Sequence, residues 1–216
     1  MGAGEDKDLI RAQYEAGSGI QEWFEAVYAG VDGQIQHVPW ARERVNHYLK
    51  DWLGRYGKAY QGKKALVIGC GLGDDAEALA EYSLEVSAFD ISSTAIEWCQ
   101  RRFPQSTVAY QVGDLFKLPT EWLAAFDLVV EIYTIQSLPH SLRETSMQQV
   151  RQLIKPAGTL VLVAFVQEEH MQFQGPPWPL KLSELRSFTE LGLALESEQF
   201  FKDDRPRVRQ VYRAIS

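Results

Sequence analysis

The stretch "ALVIGCGLGDDAEALA", residues 65–80, decides the fold. It begins with a continuous apolar run, which is typical of a buried parallel strand. The run ends at three glycines, Gly69, Gly71 and Gly73, and two acids, Asp74 and Asp75, follow before a helical pattern begins. A glycine-rich turn between a strand and a helix is typical of α/β proteins that bind nucleotides.

Strand and helix patterns alternate from residue 64 to about residue 166. The strands are predicted in "KALVIG", "LEVSAFD", "STVAYQVGD", "FDLVVEIYT" and "GTLVLVAFV". A helix in "KLSELRSFTELG" precedes two further strands, "LALESEQFFKDD" and "RVRQVYRAI", joined by a short polar turn. The sequence therefore predicts an α/β fold: a Rossmann-like, seven-stranded, mostly parallel sheet with an antiparallel C-terminal hairpin.

The first sixty residues have helical patterns instead. Helices are predicted in "DKDLIRAQYEA", "IQEWFEAVYAG" and "WARERVNHYLKDWLGRY", with Pro39 suited to the start of the third. In the second helix Ile20, Trp23, Phe24 and Val27 form one apolar face. We expect residues 1–60 to form a helical cap on the same domain as residues 61–216.

Composition excludes several classes of partner. The chain has 216 residues, a net charge of −7 and no long basic run, so a nucleic-acid partner is not expected. It lacks an apolar stretch long enough to cross a bilayer, and its two cysteines form no C-x-x-C pair that would indicate a zinc site. We expect a cytoplasmic monomer or weak homodimer without a bound metal or a membrane partner, acting on a small molecule.

The glycine spacing indicates which nucleotide the turn binds. A dinucleotide fingerprint is G-x-G-x-x-G, whereas this turn is G-x-G-x-G followed by two carboxylates. Carboxylates at a helix N-terminus take the position that favours a phosphate, so the turn suits a nucleoside without one. S-adenosyl-L-methionine (SAM), with its adenosine, sulfonium, ammonium and single carboxylate, is such a ligand.

Residues at the ends of the next strands support this interpretation. Asp90 ends the second strand, about 20 residues after the first glycine, where an acid accepts hydrogen bonds from ribose hydroxyls. Asp114 follows the third strand and is placed for the adenine amino group, with Leu115 for the ring. Glu131 and Tyr133 end the fourth strand, at the edge where open α/β sheets bind ligands.

Together these residues resemble the class I SAM-dependent methyltransferases, over about residues 60–216. The resemblance implies the strand order 3-2-1-4-5-7-6, SAM as cofactor, and methyl transfer as the activity. The residues expected to bind the cofactor are Gly69, Cys70, Gly71, Gly73, Asp74, Asp90, Ile91, Gly113, Asp114, Leu115 and Glu131. For Cys70 a packing role, and for Glu131 a purely structural one, stay open.

The cap and a loop after the fifth strand resemble the thiopurine, thiol and halide methyltransferase group. That group has a tryptophan-bearing N-terminal helix and a Gly-Pro-Pro-aromatic loop, here Gly175 to Trp178. It also carries an arginine after the fourth strand, for which Arg143 is the nearest match and could hold an anionic substrate group. The turn "GCGLGDD" and the segment "EIYTIQSLP" depart from the thiopurine pattern.

The acceptor of the methyl group is predicted to be a thiol, a related chalcogen or a similar small anion, because the sequence shows no clear catalytic dyad and such anions need no base. Candidate catalytic residues are Tyr133, His140 and Arg143, and candidate pocket residues are Trp23, Phe24, His37, Trp40 and Trp178. The alternatives are an O- or N-methyltransferase of a small metabolite and a SAM-binding regulatory protein.

Overall fold

A computed structural model of the protein describes residues 12–16, 18–31, 33–167 and 176–215. Its centre is a seven-stranded sheet in the order β3-β2-β1-β4-β5-β7-β6. The strands are β1 Lys64–Ile68, β2 Glu85–Asp90, β3 Ala109–Val112, β4 Phe126–Ile132, β5 Ile154–Phe165, β6 Leu193–Lys202 and β7 Pro206–Ala214.

Strands β1 to β5 are parallel, and β7 is the strand that runs in the opposite direction. Val67 of β1 is in register with Ala88 of β2 on one side and Val130 of β4 on the other. Strand β7 runs antiparallel between β5 and β6, so the turn of the β6–β7 hairpin lies at the edge where β5 ends. The predicted Rossmann-like sheet, its antiparallel hairpin and its strand order are confirmed.

Helices cover both faces of the sheet. They are α1 Ile20–Ala29, α2 His47–Tyr56, α3 Asp74–Glu81, α4 Ser93–Arg102, α5 Arg143–Leu153 and α6 Leu182–Glu190. One apolar cluster places Leu66, Val129 and Leu162 of the sheet under α5 and α6. A second places Val67, Val130 and Val161 under α2, α3 and α4. The alternation of these strand residues between the two clusters follows from the two-residue period of a strand.

The N-terminal region differs in part from the prediction. Residues 12–15 are helical, α1 forms as predicted, and residues 6–11 of the first predicted helix lie outside the described residues. The predicted third helix is wrong over its first seven residues, because α2 begins only at His47. Asn46 is its N-cap, and the Asn46 side chain accepts hydrogen bonds from the backbone N–H groups of Tyr48 and Leu49.

The two parts of the N-terminal region pack differently. Leu49, Trp52 and Leu53 of α2 belong to the apolar cluster under the sheet. Helix α1 instead lies against the start of α4, where its Glu25 accepts hydrogen bonds from the hydroxyls of Ser92 and Thr94. The division at residue 60 stays a prediction. Within the described part of the chain, no helix has the length and apolar character needed to cross a bilayer.

Candidate cofactor and acceptor site

The site lies where the order of the strands reverses. β1 is flanked by β2 and β4. The chain runs from β1 outward through β2 to β3 on one side and then returns to β4 and β5 on the other side. Open α/β sheets bind ligands in the crevice at such a switch point, beside the carboxyl ends of the strands. The loop after β1 therefore meets the loops after β2, β3 and β4 at one edge.

The loop after β1, residues 69–73, is called the glycine loop here, and two of its positions require glycine. Gly69 and Gly73 have positive φ angles of 59° and 87°. A Cβ on Gly69 would lie 2.5 Å from the Thr134 hydroxyl oxygen, and one on Gly73 would lie 2.6 Å from the Tyr110 hydroxyl oxygen. The loop backbone thus packs directly against the side chains of Thr134, after β4, and Tyr110, in β3.

Asp90 connects the loops at the ends of three strands. Its carboxylate accepts hydrogen bonds from the backbone N–H of Gly71 at 2.9 Å and of Ser92 at 3.0 Å. Its backbone carbonyl accepts from the N–H of Gly113 at 2.9 Å. Burial raises the pKa of Asp90, while the hydrogen bonds from Ser92 and Gly71 lower it. Each carboxylate oxygen has a second lone pair, so Asp90 can also accept from a diol.

The loop after β3 carries the residues predicted for adenine. Asp114 accepts a hydrogen bond from the N–H of Phe116 at 2.9 Å and pairs with Lys117 at 3.2 Å. Leu115 is buried in the same apolar cluster as Phe89, and Ile91, after β2, is half-buried. The loop is therefore fixed by its own contacts, and the adenine contacts stay a prediction.

Glu131 has one oxygen in use and one free. Its Oε1 accepts hydrogen bonds from the N–H groups of Thr134 at 2.7 Å and Ile135 at 2.8 Å. Its Oε2 is buried and has no hydrogen-bond partner among the described residues. Burial raises the pKa of Glu131 to about 7, against the lowering effect of the two N–H groups. Glu131 is thus both a structural acid and a potential acceptor for a cationic ligand group.

The two acids after the glycine loop have different partners. Asp74, predicted to bind cofactor, forms two hydrogen bonds with the Arg102 guanidinium, at 2.8 and 2.9 Å. The structure thus turns its carboxylate toward α4. Asp75 accepts a hydrogen bond from the N–H of Asn46 at 2.6 Å, and burial raises its pKa to about 7. Asp75 ties the segment before α2 to the glycine loop.

Cys70 lies inside the glycine loop as a buried packing residue. Its N–H donates to the carbonyl of Phe89 at 2.9 Å. The Cys99 thiol donates to the Gly71 carbonyl at 3.1 Å, and Cys70 lies beside it. The hydrogen bond with Cys99 and burial raise the pKa of the Cys70 thiol well above its ordinary value. Because a reactive cysteine is a thiolate, this environment favours the packing role.

The end of β4 holds a cluster that sequence reasoning found only in part. Tyr133, a candidate catalytic residue, has a φ angle of 62° and stacks on Phe165 with ring centroids 4.7 Å apart. Burial raises the pKa of its hydroxyl, while the charge of Arg207 lowers it. The Arg207 guanidinium lies 4.6 Å from the Phe165 ring and pairs with Asp204 at 2.7 Å. Arg207 reaches this cluster because β7 runs antiparallel beside β5, which places Arg207 opposite Phe165.

Arg143 has a different environment from the one predicted for it. Its side chain is 4% exposed, and its guanidinium donates to Glu184 at 2.8 Å and to the carbonyl of Trp178 at 2.6 Å. It therefore joins α5 to α6 and to the loop after β5. His140 lies near Trp178, with ring centroids 5.8 Å apart, and burial lowers its pKa. His140 is consequently neutral at pH 7.

The predicted pocket tryptophans form one aromatic cluster together with a residue that sequence reasoning missed. Trp23 stacks on Tyr14 at 4.4 Å and lies 6.1 Å from Trp40. Tyr14 in turn stacks on Trp178 at 5.9 Å, and Phe24 packs edge-on against Trp23 at 5.0 Å. The cluster thus joins the N-terminal region to the loop after β5. Gly175, at the start of that predicted loop motif, lies outside the described residues.

Tyr28 is a second aromatic residue that sequence reasoning missed. Its ring is buried, and its hydroxyl oxygen accepts a hydrogen bond from the Trp40 indole at 2.9 Å. The same oxygen lies 3.2 Å from where a Cβ of Gly71 would be. Tyr28 therefore brings α1 directly onto the glycine loop. His37, another predicted pocket residue, is exposed in a short 3-10 turn, Ile35–His37.

The site fits the chemistry of SAM. The glycine loop lies at the switch point, Asp90 offers acceptors for ribose hydroxyls, and the free Oε2 of Glu131 suits an ammonium group. Two carboxylates follow the glycine loop, and the arginine beside it, Arg102, is paired with Asp74, which suits a ligand without phosphate. This fold and this site define a class I SAM-dependent methyltransferase, and SAM is its cofactor.

Comparison with known proteins agrees and is more specific. The family model of thiopurine S-methyltransferase matches residues 33–211. The chain belongs to the thiopurine S-methyltransferase family. It is 28% identical over 198 residues to a thiopurine S-methyltransferase of Vibrio cholerae serotype O1, covering 80% of this chain and 86% of that one.

Two further relatives are similar over different lengths. A probable thiol methyltransferase 2 of Arabidopsis thaliana is 32% identical over 123 residues, covering 56% of this chain and 54% of that one. The N-methyltransferase NodS of Bradyrhizobium japonicum WM9, solved with S-adenosyl-L-homocysteine (SAH), superposes with a TM-score of 0.72. NodS is 18% identical, and the match covers 88% of this chain and 99% of NodS, so it supports the fold.

Proposed function

We propose that this methyltransferase acts on a small molecule whose acceptor atom is a thiolate or a related small anion. The observation that carries the proposal is the pairing of Tyr133 and Arg207 at the end of β4. Because burial raises the pKa of Tyr133, its hydroxyl keeps its proton and serves as a donor, not as a base. The Arg207 guanidinium, which acts on the Tyr133 hydroxyl and also pairs with Asp204, supplies positive charge to an acceptor that arrives already ionised.

The relatives support the same acceptor. Those in the family are described as thiopurine and thiol methyltransferases. SAM, when bound, supplies an electrophilic methyl group on a sulfonium. In this proposal Asp90 and the glycine loop hold the nucleoside, and Glu131 holds the amino-acid end. Tyr133 and Arg207 orient the acceptor for in-line attack, since methyl transfer depends chiefly on alignment.

In this proposal the N-terminal cap covers the bound cofactor and acceptor. Tyr28, Trp40 and Trp23 place apolar surface beside the glycine loop and the acceptor side. Exclusion of water strengthens the attraction between an anionic acceptor and the cationic cofactor, which are neutralised in the transition state. We expect these aromatic side chains to leave room for a small molecule and not for a polymer. That the protein is a monomer or weak homodimer in the cytoplasm stays a prediction.

An O- or N-acceptor is the second candidate, and one observation favours it. Burial lowers the pKa of His140, so this residue is a neutral imidazole that could take a proton from a phenol or amine. Its ring lies beside Trp178 in the aromatic cluster. The two candidates differ in whether a base is needed.

The experiment is an acceptor panel with SAH release as the readout. It includes thiols, halides, phenols, amines, a bulk protein extract and tRNA, each with SAM. We expect turnover with thiols, and no loss of that turnover in His140→Asn. Turnover confined to phenols or amines and lost in His140→Asn would establish the second candidate. Turnover confined to protein or tRNA, or SAM binding without turnover, would contradict both.

A further inference from the structure

Three buried polar groups near Trp178 have no hydrogen-bond partner among the described residues. They are the hydroxyl of Tyr14, the side-chain nitrogen of Gln136 and Nε of Arg143. Trp178 connects them, because its N–H donates to the Gln136 carbonyl at 2.8 Å and its carbonyl accepts from Arg143. Its ring stacks on Tyr14. The three groups therefore belong to one region under the N-terminal segment.

All three groups are donors in this environment. The side-chain oxygen of Gln136 accepts from the N–H of Phe165 at 2.7 Å, which leaves the NH₂ end free. The two terminal nitrogens of Arg143 are taken by Glu184 and Trp178. Burial raises the pKa of Tyr14, so its hydroxyl keeps its proton. A buried donor without a partner destabilises the folded protein, so these groups favour a ligand that brings an acceptor atom.

The position of the region in the fold indicates which ligand this is. Apart from Glu131 in β4, the residues expected to bind the cofactor lie at or after the ends of β1, β2 and β3. Gln136 and Arg143 follow β4, and Trp178 follows β5, on the other side of the switch point. The charge of Arg143 also acts on the hydroxyl of Tyr14. The unpaired donors thus lie on the side of the switch point that is left for the methyl acceptor.

We propose that Tyr14, together with Gln136, determines acceptor specificity by binding a hydrogen-bond-accepting oxygen, a carboxylate or carbonyl, on the methyl-accepting molecule. The rings of Trp23 and Trp178 stack on Tyr14 at 4.4 and 5.9 Å and fix the position of its hydroxyl. The inference rests on the proposed function, and Tyr14 precedes residues 33–211, which the family model matches.

The test uses Tyr14→Phe, which removes the hydroxyl and keeps the ring stacking. Benzoate binding to the protein–SAH complex is measured by calorimetry, beside Tyr56→Phe as a control at an exposed tyrosine. We expect benzoate to bind about tenfold more weakly to Tyr14→Phe, as the loss of one buried hydrogen bond to a charged group predicts. The SAH affinity and the control should be unchanged.

A second variant keeps the test decisive if Tyr14→Phe is unstable. Gln136→Glu retains an oxygen for the N–H of Phe165 but replaces the free donor with an acceptor. It should abolish benzoate binding while the protein still binds SAH. Equal benzoate affinity in wild type and both variants, or no benzoate binding at all, would overturn the proposal. A fall in SAH affinity in Tyr14→Phe would assign the hydroxyl to the cofactor instead.

Kinetics separate this proposal from the proposed function. With thiophenol and 4-mercaptobenzoate as acceptors, Tyr14→Phe should raise KM about tenfold only for 4-mercaptobenzoate, with kcat unchanged. If wild type turns over neither thiol, the proposed acceptor class is wrong, and benzoate binding still decides the role of Tyr14. If both thiols are turned over and Tyr14→Phe affects them equally, the proposed function stands and the subsite is wrong.

Discussion

The Oδ2 atom of Asp90 accepts a hydrogen bond from the backbone N–H of Gly71 at 2.9 Å. The carboxylate that ends β2 therefore holds the glycine loop that follows β1. The same residue is the one best placed to accept ribose hydroxyls. Because we propose that Asp90 also binds the ribose, a variant at this position should alter both the loop geometry and cofactor binding.

We expect Asp90→Ala to weaken SAH binding by about 1.5–3 kcal/mol, the value of hydrogen bonds to a charged group, and to lower the thermal stability. Calorimetry and thermal unfolding measure the two effects. Asp127→Ala is the matched control, because Asp127 also accepts a backbone N–H, from Lys64 at 3.1 Å, but at the opposite edge of the sheet. It should lower stability without changing the SAH affinity. An unchanged SAH affinity in Asp90→Ala would contradict the assignment.

The buried carboxyl of Glu131 should make the stability depend on pH. Its pKa is about 7 in the folded protein, above the ordinary 4.5. The folded state therefore binds more protons between these values, and stability falls as pH rises from about 4.5 to 7. Glu131→Gln carries no charge and keeps an acceptor for Thr134. The quantity to compare is the melting temperature of wild type minus that of Glu131→Gln. This difference should be more negative at pH 8 than at pH 5.

The upward shift in the pKa of Glu131 sets the size of this pH effect, and an exposed glutamate provides the control. One pKa unit corresponds to 1.36 kcal/mol, so the difference at pH 8 is on the order of 3 kcal/mol. Glu97→Gln, at an exposed glutamate of α4, should show no such dependence. A constant difference between wild type and Glu131→Gln across this pH range would mean that Glu131 titrates normally.

The contacts of Glu25 predict how firmly α1 is held. Its carboxylate accepts from Ser92, Ser93 and Thr94 at the start of α4, next to Asp90. Glu25→Ala should release α1 and speed proteolysis of the N-terminal region, while Glu22→Ala, on the exposed face of the same helix, should not. If cofactor binding closes the cap, SAM should slow cleavage in wild type. Equal cleavage rates with and without SAM would argue against a closing cap.

Much of the fold follows from local patterns in the sequence. Buried parallel strands appear as apolar runs, and the glycine loop, Asp90 and the terminal hairpin have local signals. The predicted start of α2 is wrong because Asn46 competes with Pro39 as a helix start. Only the cap hydrogen bonds of Asn46 show which of the two begins the helix. A helical pattern alone does not distinguish the two.

The acceptor side depends on contacts between distant residues. Arg143 is close to Glu184 only because α5 and α6 pack together, and Arg207 reaches Tyr133 only because β7 returns antiparallel beside β5. Tyr14 belongs to the site through stacking on Trp178, 164 positions along the chain. No local motif carries these pairings, so the sequence indicates only Arg143 as a counter-charge, and the proposal that Arg207 has this role depends on the structure.

The two arginines should accordingly behave differently when each is replaced by glutamine. Arg143→Gln removes the partner of Glu184 and of the Trp178 carbonyl, and should destabilise the protein by about 2–3 kcal/mol, or roughly 4–10 °C. Arg207→Gln should lower kcat/KM for a charged thiolate about tenfold through KM, with the SAH affinity unchanged. Arg205→Gln is the control, since Arg205 lies farther from the Phe165 ring, at 5.6 Å against 4.6 Å. Thermal unfolding, calorimetry and SAH release distinguish the three variants.

One outcome would contradict the role proposed for the β6–β7 hairpin. If Arg143→Gln loses activity without losing stability, and Arg207→Gln stays fully active, the counter-charge is Arg143.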